Sequence, residues 1–284
     1  MESLILTRYL FGLDEVRYSL FIELLNRNFE EALFWCYELY WSGYDNETFI
    51  FLLDTYKFMY NDNDLYINRF NEEYERWKID NSHHECIGNI VINMCFRNFS
   101  ISKFINEYFA INCKNCQNSN EEKRNNLYIN LKKEDIIKYE TEYSDEGVGR
   151  RKILQKVYKY QLKTETNRLF EHDIINKDDQ IKEIRGNWEF YAIKCPYWKS
   201  IFQEYSGFIE NDKIRFSDTN KEEDFYNKYD FEIDEQPKWV QNCAVGLKDN
   251  EKQLNIREFL ERYGGQVLSN KLKKKKINIT TAEA

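Results

Sequence analysis

The sequence predicts a mainly α protein, an antiparallel helical-hairpin stack followed by an α-rich second half with a minor β element. Three observations carry that prediction. The 284 residues include only 10 Gly and 2 Pro, too few for the many tight turns of an all-β sandwich or barrel. Aromatic side chains make up 17% of the chain, as 21 Tyr, 20 Phe and 6 Trp, which is bulk enough to fill a core and excludes disorder throughout. Residues 13–42 carry apolar side chains at helical spacing.

Leu13, Val16, Leu20, Phe21 and Leu24 recur at three- and four-residue steps and predict a helix over 13–26. Asp14 and Glu15 fall in its first turn, where they complement the positive end of the helix dipole. Phe29, Leu33, Cys36 and Tyr40 form the stripe of a second helix over 29–42, closed by Gly43. So short a connection makes the two an αα-hairpin. Residues 46–60 and 64–77 read as a second pair around Asn61-Asp62-Asn63, and helices near 85–97 and 101–111 follow, the latter opened by Ser100 or Ser102. No fixed period accompanies these pairs, so their likeness to helical-repeat stacks is architectural only. Beyond lie a short helix over 132–140, a polar break at 144–149 and a long amphipathic helix from about 150 to 170. An aromatic block over 188–205 is broken by Pro196, and a β-like piece follows at 213–216. A helix at 221–229, a turn at 234–237 and a last helix at 256–263, ended by Gly264-Gly265, complete the order.

The organisation expected is an acidic helical domain over 1–112, a polar linker over 113–130, an α-rich second domain over 131–264 and a basic flexible tail over 265–284. The net charge of −8 is unevenly spread. Residues 1–77 hold 6 basic against 15 acidic side chains, residues 132–168 hold 10 against 7, and the last twenty hold 5 against 1. The acidic front half would repel a phosphate backbone, whereas the back half would not. No apolar run approaches the roughly 18 residues of a membrane span. The start, Met1 to Leu6, lacks the cationic region of a signal peptide. Seven scattered cysteines read as reduced thiols of a soluble intracellular protein.

Few motifs carry chemistry. Cys113 and Cys116 have a CxxC spacing, and His83, His84 and Cys86 lie upstream, so Cys113, Cys116, His84 and Cys86 form a zinc set of outside standing. The irregular upstream half favours incidental thiols, and no metal or cofactor is expected. Asp62, Asp64 and Glu73 match three positions of a calcium loop, but Ile67 occupies the required glycine and the match fails. Phosphate-loop, dinucleotide, nucleophile-elbow and metalloprotease signatures are all absent. Acid pairs Asp145-Glu146 and Asp178-Asp179 fall in polar stretches where carboxylates stay solvated. The chain therefore reads as a non-enzyme.

Two features point to binding. Lys152, Lys156, Lys159 and Lys163 share one face of the predicted 150–170 helix, with Arg150 and Arg151 at its start. That stripe suits a phosphate backbone, although a solvated face is its commoner meaning. The lysine tail over 271–276 reads as a flexible arm. Trp35, Tyr37, Tyr40 and Trp41 span more than half of one helix, so some of them must meet another helix pair or another protein.

The segments Arg8-Tyr9-Leu10-Phe11-x-x-Asp14-Glu15-Val16 and Ala32 to Gly43 resemble an uncharacterised helical family of nucleocytoplasmic large DNA viruses. Trp188-Glu189-Phe190-Tyr191-Ala192 and Asp234-Glu235-Gln236 are similar to its C-terminal half. The resemblance implies a viral protein of the host cytoplasm or the virion, with the nucleus as an alternative. It brings no activity and no catalytic residues. The expected function is a non-catalytic interaction or assembly component with other, viral, proteins as partners. An accessory nucleic-acid-binding factor is the alternative.

Overall fold

The predicted first hairpin is present, as α1 (Leu13–Asn26) and α2 (Phe29–Leu39). The chain reverses at Arg27, whose φ of 59° is left-handed, with Arg27 N–H donating to Leu24 O and Asn28 N–H to Glu23 O. The Asn28 side chain caps α2 by accepting from Glu31 N–H. A π-helical turn, Tyr40–Tyr44, then leads into α3 (Asp45–Met59). Gly43 has φ 87°, and a Cβ there would stand 2.7 Å from Pro196 Cβ. This position needs glycine for both its backbone and its neighbour. The remaining helices of the first half are α4 (Asp64–Ile79), α5 (Glu85–Cys95) and α6 (Ser102–Tyr108). α5 is buried along its whole length and packs against α2 and α4. The computed structural model describes residues 4–60, 64–115, 127–140, 150–170, 177–248 and 252–267.

The second half comprises α7 (Lys133–Glu140), α8 (Arg150–Val157), α9 (Lys177–Ala192), α10 (Pro196–Glu204), α11 (Thr219–Tyr229), α12 (Lys238–Ala244) and α13 (Ile256–Arg262). The minor β element is real and larger than its signal. One antiparallel hairpin joins Gly207–Glu210 to Lys213–Phe216 through Asn211 and Asp212, both at positive φ. A second pair joins Cys113–Asn115 to Gly265–Val267. The fold is mainly α, as the sequence predicts.

Three expectations need correction. The helix begun at Arg150 ends at Val157 rather than near 170. Beyond it a turn over 158–160 leads into residues 161–164, where Leu162 and Thr164 are buried, and a second turn follows over 165–170. Tertiary bonds replace helical ones there, with Lys163 N–H donating to Ser19 Oγ and Thr164 Oγ1 to Gly246 O. Second, the polar stretch 113–130 is no spacer where it is described. Cys113–Asn115 is a strand, and residues 127–131 are bonded to α5. Third, the tail's first residues, Gly265–Val267, form the partner strand, while the lysines over 271–276 lie outside the described residues.

The hub of the molecule is the loop ahead of α1. Residues Leu6–Phe11 are buried, and Leu10 holds a left-handed φ of 61°. Trp198 Nε1 of α10 donates to Thr7 O, and Tyr158 OH donates to Tyr9 O. Cys195 Sγ donates to Ser42 O, whose Oγ accepts from Arg8 N–H. The core therefore runs through both halves as one buried cluster, and the division expected at 112–131 does not separate two cores.

Candidate functional site

The aromatic set proposed for a partner surface is mostly interior. Trp35, Tyr37 and Tyr40 are buried and Trp41 is only partly exposed. α2 is apolar nearly all round because other elements surround it, which is the property of a central helix. Trp35 meets Phe11 and Phe34 edge to face. Tyr37 stacks on Tyr139 and donates to His84 O. Trp77 Nε1 donates to Tyr40 OH, and that hydroxyl lies 2.8 Å from His84 Nδ1. Indole N–H is only a donor, so Tyr40 accepts from it and shares its second hydrogen bond with the His84 ring. Burial lowers the pKa of His84. Trp41 packs against the same imidazole at 4.5 Å.

The lysine stripe is broken with its helix. Lys152 and Lys156 are exposed on α8 and Lys159 is exposed just beyond it. Lys163 turns inward, with Nζ 3.2 Å from Glu23 and 2.8 Å from Glu31. Arg151 is exposed, 3.5 Å from each of Glu232 and Glu235. The side chain of Arg150 lies outside the described residues.

The zinc set is not assembled where it is described. His84 bonds Tyr40, Cys86 Sγ accepts from Arg76 Nε at 3.0 Å, and Cys113 Sγ faces Ser102 O beside α6. Cys116 lies outside the described residues. Among the described residues no three His, Cys, Asp or Glu side chains converge as metal ligands. Burial pushes the Cys86 thiol up to about 12.

A polar cleft of about 390 Å³ lies elsewhere, lined by Arg69, Glu72, Glu73, Arg76, Tyr128 and Asn130. The four α4 residues fall at i, i+3, i+4 and i+7, so one helical face presents all of them. The opposite wall is an extended segment, where Tyr128 and Asn130 share a side by the two-residue period. Two buried asparagines one turn apart on α5 hold that wall. Asn93 exchanges paired hydrogen bonds with the Ile129 backbone at 2.7 and 3.0 Å. Asn89 Oδ1 accepts from Leu131 N–H at 2.7 Å, while its Nδ2 donates to Glu73 Oε1 at 3.0 Å. The side-chain amides thus do for the segment what a neighbouring strand would do. Gly88 keeps the approach open, because a Cβ there would stand 2.5 Å from Tyr37 OH and 2.7 Å from Leu131 Cδ1. Glu73 is only 8% exposed. Arg76 ion-pairs with Glu73 at 3.3 Å and Glu85 at 2.9 Å. Arg69 lies over the Tyr128 ring at 5.1 Å.

Elsewhere, Phe29 and Phe96 stack in the open, 45% and 38% exposed, with ring centroids 5.9 Å apart. Leu127, 71% exposed, accepts at its carbonyl from Arg97 Nη2 at 2.9 Å. Arg27 frames the pair, bonded to Asn98 and lying over the Phe99 ring. Sequence reasoning assigned Phe29 to the core stripe of α2 and missed the cleft. The signal for the cleft was present in Asn89 and Asn93, two amides one turn apart in an otherwise apolar helix.

No helix among the described residues is long and apolar enough to cross a membrane. Compared with protein-family models, curated proteins and solved structures, the chain matches none of them.

Proposed function

We propose that this chain is a non-catalytic protein–protein interaction or assembly component, and that Phe29 and Phe96 form its contact surface. The exposed Phe29–Phe96 stack is the observation that carries the reading. Two aromatic rings held in water lose apolar hydration when a partner covers them, and aromatic side chains dominate interface hot spots. The flanking Arg27 and Arg97 supply the polar rim such surfaces have. Assembly in a large DNA virus, with a viral partner in the host cytoplasm or virion, is the setting that the family resemblance suggests. The test compares a tagged wild-type chain with a Phe29→Ser, Phe96→Ser double variant in pull-downs from producing cells. Partners should survive nuclease treatment and be lost from the variant, while its thermal midpoint stays near that of wild type. Retention of the same partners by the variant would remove this surface from consideration.

A second reading, an accessory nucleic-acid-binding factor, rests on the exposed Lys152, Lys156 and Lys159. Its test is a triple Lys→Glu variant that leaves Lys163 alone, because Lys163 belongs to Glu23 and Glu31. Phosphate contact should weaken steeply with salt and be abolished by the variant. Salt-insensitive binding would exclude it.

A further inference from the structure

We propose that α5, with the face of α4 beside it, is a receptor for an extended peptide, that residues 127–131 occupy it in cis, and that a partner's segment of the same pattern takes their place. The register carries the argument first. Asn89 bonds residue 131, Asn93 bonds residue 129, and Arg97, just past the end of α5, bonds residue 127. Four residues of helix advance about 6 Å, and two residues of extended chain advance about 6.6 Å. Helix and segment therefore stay in step over these contacts, running antiparallel. The bonds, of 2.7–3.0 Å, all go to main-chain N–H or C=O groups of the segment. Such a ladder accepts any extended chain and leaves selection to the side chains.

The receptor side is set independently of its occupant. Asn89 Nδ2 donates to Glu73 Oε1 at 3.0 Å, which leaves its Oδ1 for the Leu131 N–H, and Asn93 Nδ2 also donates to Asn89 O at 2.8 Å. The Arg97 guanidinium lies over the Tyr66 ring at 3.9 Å. Groups fixed in this way are preorganised, so little ordering cost attends binding. The occupant, by contrast, is held lightly. None of residues 127–131 is fully buried, and Leu127 is 71% exposed. A segment held by a few polar bonds and little apolar burial belongs to the low-stability end of a fold and opens locally. Two positions give the pattern. The Tyr128 ring meets the Phe70 ring at 6.3 Å and the Arg69 guanidinium at 5.1 Å, and Leu131 fills the space that Gly88 leaves. The partner that fits is an extended segment with a tyrosine followed three residues later by a leucine.

The experiment follows the fluorescence anisotropy of a labelled peptide with the sequence of residues 127–132 against the full chain. In wild type the tethered segment competes at high effective concentration, so binding should be weak. Ile129→Pro removes the N–H that Asn93 accepts and releases the segment while leaving the receptor in place. That variant should bind the peptide saturably, at least about tenfold tighter than wild type does. The same peptide carrying Ile129→Pro, or with its order scrambled, should not bind. A measurement on wild type is independent of any folding defect in the variant: the Ile129 and Leu131 amides should exchange at least about tenfold faster than those of Ile90 and Val91 in α5. The proposal is overturned if the variant, with α5 still protected, binds no peptide, or if the scrambled or proline peptide binds equally well. Ile129 and Leu131 amides that exchange no faster than those of α5 would overturn it as well. Adding Phe29→Ser and Phe96→Ser to Ile129→Pro should leave peptide binding unchanged, so this inference stands or fails apart from the interaction surface.

Discussion

Arg8–Glu38 and Arg76–Glu73 are both arginine–glutamate pairs of the N-terminal half, 3.0 and 3.3 Å long, yet their surroundings differ. The Arg8 and Glu38 side chains are 6% and 0% exposed. Every direction is taken: Glu38 accepts from Arg8 Nε and Tyr9 N–H, and Arg8 Nη2 donates to Tyr139 O. Burial still pushes the Glu38 carboxyl up against the pull of Arg8, so the pair survives because its neighbours satisfy it. In the second pair the Arg76 side chain is 45% exposed and also reaches Glu85, while the Glu73 side chain is 9% exposed. A pair sealed on both sides leaves a bare charge in the core when one partner is removed, whereas in a pair with one end in water the remaining arginine is still solvated.

The largest effect should come from breaking the sealed pair. Arg8→Met leaves a buried carboxylate without its charge partner and should lower stability by about 3–5 kcal/mol. Arg8→Met combined with Glu38→Leu should recover a substantial part of that loss in urea unfolding. A double variant worse than the sum of the singles would mean the pair is not held by its own complementarity.

Next comes the wall of the open site. Gly88→Ala places a methyl group against Tyr37 and Leu131 and should lower stability by about 1–3 kcal/mol through overpacking. Faster amide exchange at Ile129 and Leu131 should accompany it. Unchanged exchange there would show that the asparagine clamp does not depend on Gly88.

A smaller effect is expected from pH. The folded pKa of His84 lies below its ordinary 6.5, chiefly from burial, so the folded state binds fewer protons than the unfolded one just below that value. Stability present above pH 6.5 should then fall as pH drops through the folded pKa. His84→Gln should flatten this slope, and an unaltered slope would assign it to other groups.

The smallest effect is on Arg69. Arg69→Ala should shift stability by no more than about 1 kcal/mol, the worth of its cation–π contact with Tyr128. A larger loss would move Arg69 into the structural class with Arg8.

Much of the helical order was legible because α1, α3 and α5 announce themselves by apolar spacing and by punctuation at Gly43 and Asn61–Asn63. The helix ending at Val157 was not, because lysines at four-residue steps continue past the point where Tyr158 and Leu162 are drawn into the core. The strand pair of Cys113–Asn115 with Gly265–Val267 joins residues remote in sequence, and no local pattern marks it. The hub was visible only as a run of conspicuous residues, since a buried Arg8 and a half-buried Arg69 look alike in sequence. The burial of Trp35, Tyr37 and Tyr40, expected in part at a partner surface, was not legible because the elements that enclose α2 are remote in sequence. Trp35 and Tyr37 lie on a helix that others enclose, while Phe29 sits at its open end.

The contrast between the two pairs can be tested most directly by urea unfolding of Glu38→Gln and Glu73→Gln side by side. Glu38→Gln should lose about 3–5 kcal/mol, because Arg8 is left charged and enclosed. Glu73→Gln should lose no more than about 1 kcal/mol, because Arg76 keeps Glu85 and its contact with water. Equal losses, or a greater loss at Glu73, would contradict the division into a sealed pair and one shared with water.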